Sequence, residues 1–141
     1  MATNLKASIR ATMMGSIPTS VGASGHLFIY SGSAPSKTAS PTGTSAITAG
    51  IALSATMGTT GTDGTDANAK LTLSGVPLSG TATASITPGY YRVTDGGTDD
   101  GTHTQIQGSC GVGSGDINFA STISSGGTVT ISSLTWTEGD V

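Results

Sequence analysis

The clearest rhythm in the chain runs from residue 47 to residue 57. Ile47, Ala49, Ile51, Leu53, Ala55 and Met57 hold the odd positions, and Thr48, Gly50, Ala52, Ser54 and Thr56 lie between them. A period of two puts alternate side chains on opposite faces of a strand, whereas a helix would scatter them around its circumference. The segment is therefore expected to be one long strand with a buried face and a wet face. The run His26-Leu-Phe-Ile-Tyr-Ser31 is apolar on both faces, Leu27 and Ile29 on one and Phe28 and Tyr30 on the other, which predicts a central strand. Shorter alternations follow: Leu71 and Leu73 beside Lys70 and Thr72, then Ala82, Ala84 and Ile86 among Thr81, Thr83 and Ser85. Tyr91 and Val93 alternate with Tyr90, Arg92 and Thr94, and weaker strands are expected at 105–110 and 116–119. In the last strand, 128–137, Val129 and Ile131 fall on odd positions but Leu134 and Trp136 on even ones. Either both faces are buried there, or a bulge near Ser132-Ser133 restores the phase; the bulge is the favoured reading.

One segment has helical spacing. Leu5, Ile9 and Met13 recur every four residues within 3–14, Thr3 or Asn4 can cap its start, and Gly15 and Pro18 are expected to stop it. So short a helix is unstable alone and must dock on something. It can dock on its own sandwich. It can instead present Leu5, Ile9 and Met13, with Lys6 and Arg10 beside them, to a neighbouring subunit. Turn-forming residues mark loops at 19–25, at 32–43 with Pro35 and Pro41, at 58–68 and at 95–101.

About eight short strands with glycine-rich turns predict an all-β fold, a β-sandwich or jelly-roll-like domain with a short N-terminal α-helix. A single domain over 1–141 is expected, with the helix at 3–14 and the sandwich over 26–137. Composition changes the picture in one respect. Only 9% of the residues are Asp, Glu, Lys or Arg, against about 25% in a typical soluble domain. Thr, Ser and Gly fill the gap, so the wet faces should be carpets of hydroxyls. Edge strands then lack the charges that normally deter pairing, which is a reason to expect a homo-oligomer. Five scattered basic residues and a net charge of −3 give no patch for nucleic acid. Without a run of about 18 apolar residues, no membrane span is expected.

Chemistry has few candidates. His26 and His103 are the only imidazoles, and no spacing selects a serine and a carboxylate to join either. A Gly-x-Ser-x-Gly elbow is absent. Glu138 and Asp140 sit on an acidic tail rather than flanking a cleft. Asp63, Asp66 and Asn68, or Asp95, Asp99 and Asp100, could offer oxygens to calcium, but neither set follows the EF-hand order. The glycine-rich stretch 108–115 lacks the Gly-Lys-Ser/Thr ending of a phosphate loop. Cys110 is the only cysteine and reads as a small core residue. No enzyme activity, metal or cofactor is expected. Phe28, Tyr90 or Trp136 could stack on a sugar if exposed, although most of six aromatic residues should serve the core.

The order of motifs carries a resemblance. A short helix leads into Gly25-His-Leu-Phe-Ile-Tyr-Ser-Gly32, then a proline-containing loop and the alternating segment 47–57. Gly-Thr-Ala-Thr-Ala at 80–84, Gly-Tyr-Tyr-Arg-Val-Thr-Asp at 89–95 and the Gly-Ser-x-Gly turn at 108–111 come next. Asp-Ile-Asn-Phe at 116–119 and Gly-Thr-Val-Thr-Ile-Ser-Ser-Leu at 127–134 close the series. This arrangement resembles small β-sandwich structural proteins of tailed bacteriophages over nearly the whole chain. The loop at 58–68 and the acidic tail are particular to this sequence. The resemblance implies a virion component, foremost a head decoration (cement) protein whose partner is the major capsid protein and which assembles as a homo-oligomer, a trimer being favoured. A tail, neck or fibre part with receptor or glycan binding is the alternative. It implies no catalytic residues. Arg10 interrupts the apolar stretch that a signal peptide would need, and assembly in the host cytoplasm followed by lysis would make an export signal unnecessary. The expected interface is Leu5, Lys6, Ile9, Arg10 and Met13.

Overall fold

The computed structural model describes residues 5–62 and 68–138. The chain begins with α1 (Ala7–Met14) and α2 (Ser16–Val21), followed by a 3-10 turn at Gly22–Ser24. The strands are β1 (His26–Ser31), β2 (Ile51–Ala52), β3 (Gly58–Thr62), β4 (Ala69–Leu73) and β5 (Leu78–Thr81). They continue with β6 (Pro88–Thr94), β7 (Thr104–Val112), β8 (Ile117–Phe119), β9 (Thr128–Ile131) and β10 (Thr135–Glu138). Three sheets result, in the orders β2-β1-β6-β7-β8, β10-β4-β3 and β5-β9. The fold is all-β and sandwich-like with a short N-terminal helix, as the patterning predicts.

One core joins the three sheets. Leu27, Ile29, Tyr91 and Val93 from β1 and β6 meet Leu71 and Leu73 from β4 and Val129 and Ile131 from β9. The opposite face of β1 and β6 is buried as well. Phe28, Tyr30 and Tyr90 form a second cluster, with the Tyr30 and Tyr90 rings stacked at 5.0 Å. Residues 32–50 cover that face. The Thr42 N–H donates to the Tyr90 hydroxyl at 2.9 Å, and Arg92 reaches the carbonyls of Ser36 and Ala39. Gly50 has φ +67°, and a Cβ there would stand 2.9 Å from the Phe28 ring, so the cover closes only around a glycine. A strand apolar on both faces is thus central, as expected.

Several segments depart from expectation. The rhythm at 47–57 is real in burial but not in backbone pairing: Ile47, Ile51, Leu53 and Met57 are buried, whereas only Ile51–Ala52 forms a strand and Ala49 and Ala55 are exposed. A turn closed by the Gly50 N–H on the Ile47 carbonyl at 2.9 Å interrupts the ladder. The same holds at 82–86, where Ala82 and Ile86 point inward without a continuous strand. The loop expected at 58–68 begins as β3, which pairs antiparallel with β4 from Gly58↔Leu73 to Thr62↔Ala69. Asp63 and Asp66 lie outside the described residues. At 19–25 the chain is mostly helical, because Pro18 sits in the first turn of α2, where a missing N–H breaks no helical bond. The terminal segment is two strands in two sheets rather than one bulged strand. Between them Leu134 accepts from the Leu73 N–H at 2.9 Å, and this switch of sheet keeps Val129, Ile131 and Leu134 in one core.

Candidate interaction surface

The N-terminal helix docks, but on the face opposite to the expected one. Ala7, Ala11 and Met14 are buried where α1 lies on β3 and β4. Two alanines on that stripe let the helix axis approach the sheet closely. Leu5, Ile9 and Met13 point away, with 38%, 48% and 59% of their surfaces exposed. They supply three of the five exposed large hydrophobic residues among those described; Val76 and Val112 are the others. Lys6 is exposed at the start of the helix. Arg10 is not part of this surface. It is only 2% exposed, and its guanidinium folds back to donate to the Leu5 carbonyl. The expected interface therefore reduces to Leu5, Lys6, Ile9 and Met13, because Arg10 holds the start of the helix in place. Covering three half-exposed apolar side chains would contribute roughly 1 kcal/mol each, about a hundredfold in affinity together. That makes an anchor within a larger contact, not a complete interface.

The other candidate residues are largely occupied by the fold. Asp99 pairs with Arg92 at 3.1 Å, the two side chains being 1% and 0% exposed. Arg92 also donates from Nε to Gln107 at 2.8 Å and to Ala39, Ser36 and Thr104, so one guanidinium ties loop 32–43 and loop 95–101 to the sheet. Nearby, burial first and the charge of Asp99 second push the Tyr30 phenol up. Asp100 accepts from the Thr102 hydroxyl at 2.7 Å and its N–H at 2.9 Å, bonds that hold its carboxyl below the usual range. Asp95 bonds His103 at 2.7 Å, which raises the imidazole above its ordinary value. Among the described residues no three His, Cys, Asp or Glu side chains converge as a metal site. Burial pushes the Cys110 thiol up to about 12, far from a nucleophilic thiolate. Asp140 lies outside the described residues.

Of the aromatic residues considered for stacking, Phe28 and Tyr90 are buried under residues 32–50, and Trp136 on β10 is half-buried. Sequence patterning missed the Arg92 hub. Its signal was an arginine inside a strand with apolar residues on both faces, seven positions before an aspartate. No helix among the described residues is long and apolar enough to cross a membrane. No protein-family model matches the chain, and neither a curated protein nor a solved structure matches it.

Proposed function

We propose that this chain is a structural protein of a bacteriophage virion, a head decoration protein that strengthens the capsid by bridging major capsid protein subunits. One observation carries the reading: a helix seated on the sandwich by its small residues holds Leu5, Ile9 and Met13 out into solvent. Among the described residues these three side chains are left largely in solvent, which suits a partner surface. The order of motifs from Gly25 to Leu134, which resembles that of tailed-phage structural proteins, supports the choice of a capsid partner. Low surface charge fits a protein that packs against sister subunits, and a trimer would present three such stripes at a local symmetry axis of the capsid. Each stripe is weak alone, so occupancy would depend on several engaging at once.

The test is occupancy on particles. In purified virions, quantitative densitometry should give hundreds of copies, whereas tens or fewer would assign the chain to a tail, neck or fibre. Serine at Leu5, Ile9 and Met13 together should leave the isolated protein folded and strip it from capsids. Unchanged occupancy of that variant would remove the helix from the contact.

A further inference from the structure

A second surface, remote in sequence from the helix, has the makings of a ligand site. β10 is an edge strand, paired only with β4. β7 meets β8 only from Cys110 to Val112, so its earlier half pairs with β6 alone. Between these two open edges lies a cleft of about 340 Å³, lined by Tyr91, Gly108, Asp116, Thr135, Trp136 and Thr137 among others. That volume is at the small end of ligand sites, where roughly 300 to 1,000 Å³ is usual. The floor is rigid. The Trp136 indole N–H donates to the Tyr91 hydroxyl at 2.7 Å. Tyr91 reaches it by crossing Gly108, where a Cβ would stand 2.5 Å from the phenol oxygen. Tyr91 accepts that bond and is itself fully buried, so it supports the indole from beneath rather than meeting a ligand. Burial holds this phenol protonated, its pKa pushed up to about 12.

Asp116 stands at one end. Its Oδ2 accepts from the Ser109 N–H at 2.9 Å and the Ser109 hydroxyl at 3.1 Å, which fixes the carboxylate. The residue also lines a second cleft of about 210 Å³, with Asn118, Thr130, Ser132 and Ser133 in its walls. The two depressions thus share Asp116 as a lining residue. Hydroxyls and amides line both, beside Trp136 in the first and Ile117 and Ile131 in the second, and no Lys or Arg lines either.

We infer that the paired clefts flanking Asp116 bind a neutral oligosaccharide, with one sugar ring against Trp136 and the next beyond Asp116. A pyranose has an apolar C–H face and a rim of hydroxyls, which suits a half-buried indole beside fixed donors and acceptors. A carboxylate can accept two neighbouring sugar hydroxyls at once. The same charge, without a cation to balance it, disfavours acidic sugars. Two linked clefts call for a chain of rings rather than a monosaccharide. This inference is independent of the helix surface and of the capsid role.

Trp136 is the only tryptophan in the chain, so intrinsic fluorescence reports this cleft directly. The full chain would be titrated into the millimolar range with glucose-, galactose- and N-acetylglucosamine-based oligosaccharides of one to four rings, and with a sialylated trisaccharide. The expected result is a saturable change for at least one neutral series, tightening from one ring to two or three and weaker by about tenfold or more for the acidic sugar. Asp116→Ala and Thr135→Arg, both at exposed positions, should each abolish it with the far-ultraviolet dichroism unchanged. Should Asp116→Ala fail to fold, Thr135→Arg decides the matter by filling the cleft without touching the Ser109 bonds. A flat titration throughout, or saturation that survives in the folded variants, overturns the inference. Either outcome leaves capsid occupancy to be judged separately.

Discussion

Arg92 shows most plainly how single residues hold this fold. A fully buried guanidinium is costly unless its donors are satisfied, and here Gln107, Asp99, Thr104 and the carbonyls of Ser36 and Ala39 take them. Lysine, with a point charge and three donors, could not reproduce that fork. Removing the guanidinium leaves the Asp99 carboxylate buried without its ion-pair partner. Arg92→Met is therefore expected to cost about 3–5 kcal/mol of unfolding free energy. Adding Asp99→Asn should recover a large part, since the stranded charge goes with it. Urea denaturation of the two variants checks this, and equal losses would show that the pair does not act as a unit. The glycines make a second case. Gly113 and Gly115, with φ of +73° and +89°, let the chain double back after β7 and re-enter as β8 parallel to it within a few residues. A Cβ on Gly115 would stand 2.8 Å from the Cys110 Cα.

At the scale of elements, α1 has two stripes with opposite fates. Ala7 is fully buried against the sheet, and a leucine there would overpack the contact at an expected cost of about 1–3 kcal/mol. Serine at Ile9 or Met13 alters side chains outside the buried core and should change stability by no more than about 0.5 kcal/mol. Thermal melts of these variants separate the stripes; a large loss from Ile9→Ser would mean that the outer stripe is covered by the chain itself. The spacing of Leu5, Ile9 and Met13 made the helix legible in the sequence. It could not say which side docks, because Ala7, Ala11 and Met14 have equally helical spacing and closeness of approach favours small residues. The strands teach a related lesson. Side-chain alternation reports burial, so Ile47, Ile51, Leu53 and Met57 were correctly read as inward. It does not report hydrogen bonding, which begins only after the glycine turn at Gly50 and lasts for the two residues Ile51–Ala52. The phase slip between Ile131 and Leu134 was visible as well, but whether it marks a bulge or a change of sheet depends on where β4 and β5 lie. Only the Arg92–Asp99 pair had a local signal; the carbonyls of Ser36 and Ala39 and the Trp136–Tyr91 contact are distant in sequence, and no local pattern contains them.

For the whole molecule, scarcity of charge is the property that sets how it can associate. With 9% charged residues and a net charge of −3, long-range steering is weak and any large contact must rest on apolar burial and backbone pairing. The exposed helix stripe and the uncharged edge β3, Gly-Thr-Thr-Gly-Thr, are both of this kind. A contact built from them responds to conditions in a recognisable way. Raising ionic strength from about 0.05 to about 0.5 M shortens screening lengths severalfold and would loosen a charge-based contact. In the proposed decoration role, capsid occupancy should barely change over that range, because among the described residues of the helix Lys6 is the only exposed charge. Cooling should act in the opposite sense to its effect on most polar contacts, since apolar association weakens as temperature falls. Particles incubated near 4 °C should release more protein than those held at about 25 °C, as measured by sedimenting capsids and quantifying the supernatant. Steep loss of occupancy with salt, combined with indifference to cooling, would place the binding energy in charges that this surface scarcely has and would rule out the apolar stripe as the anchor.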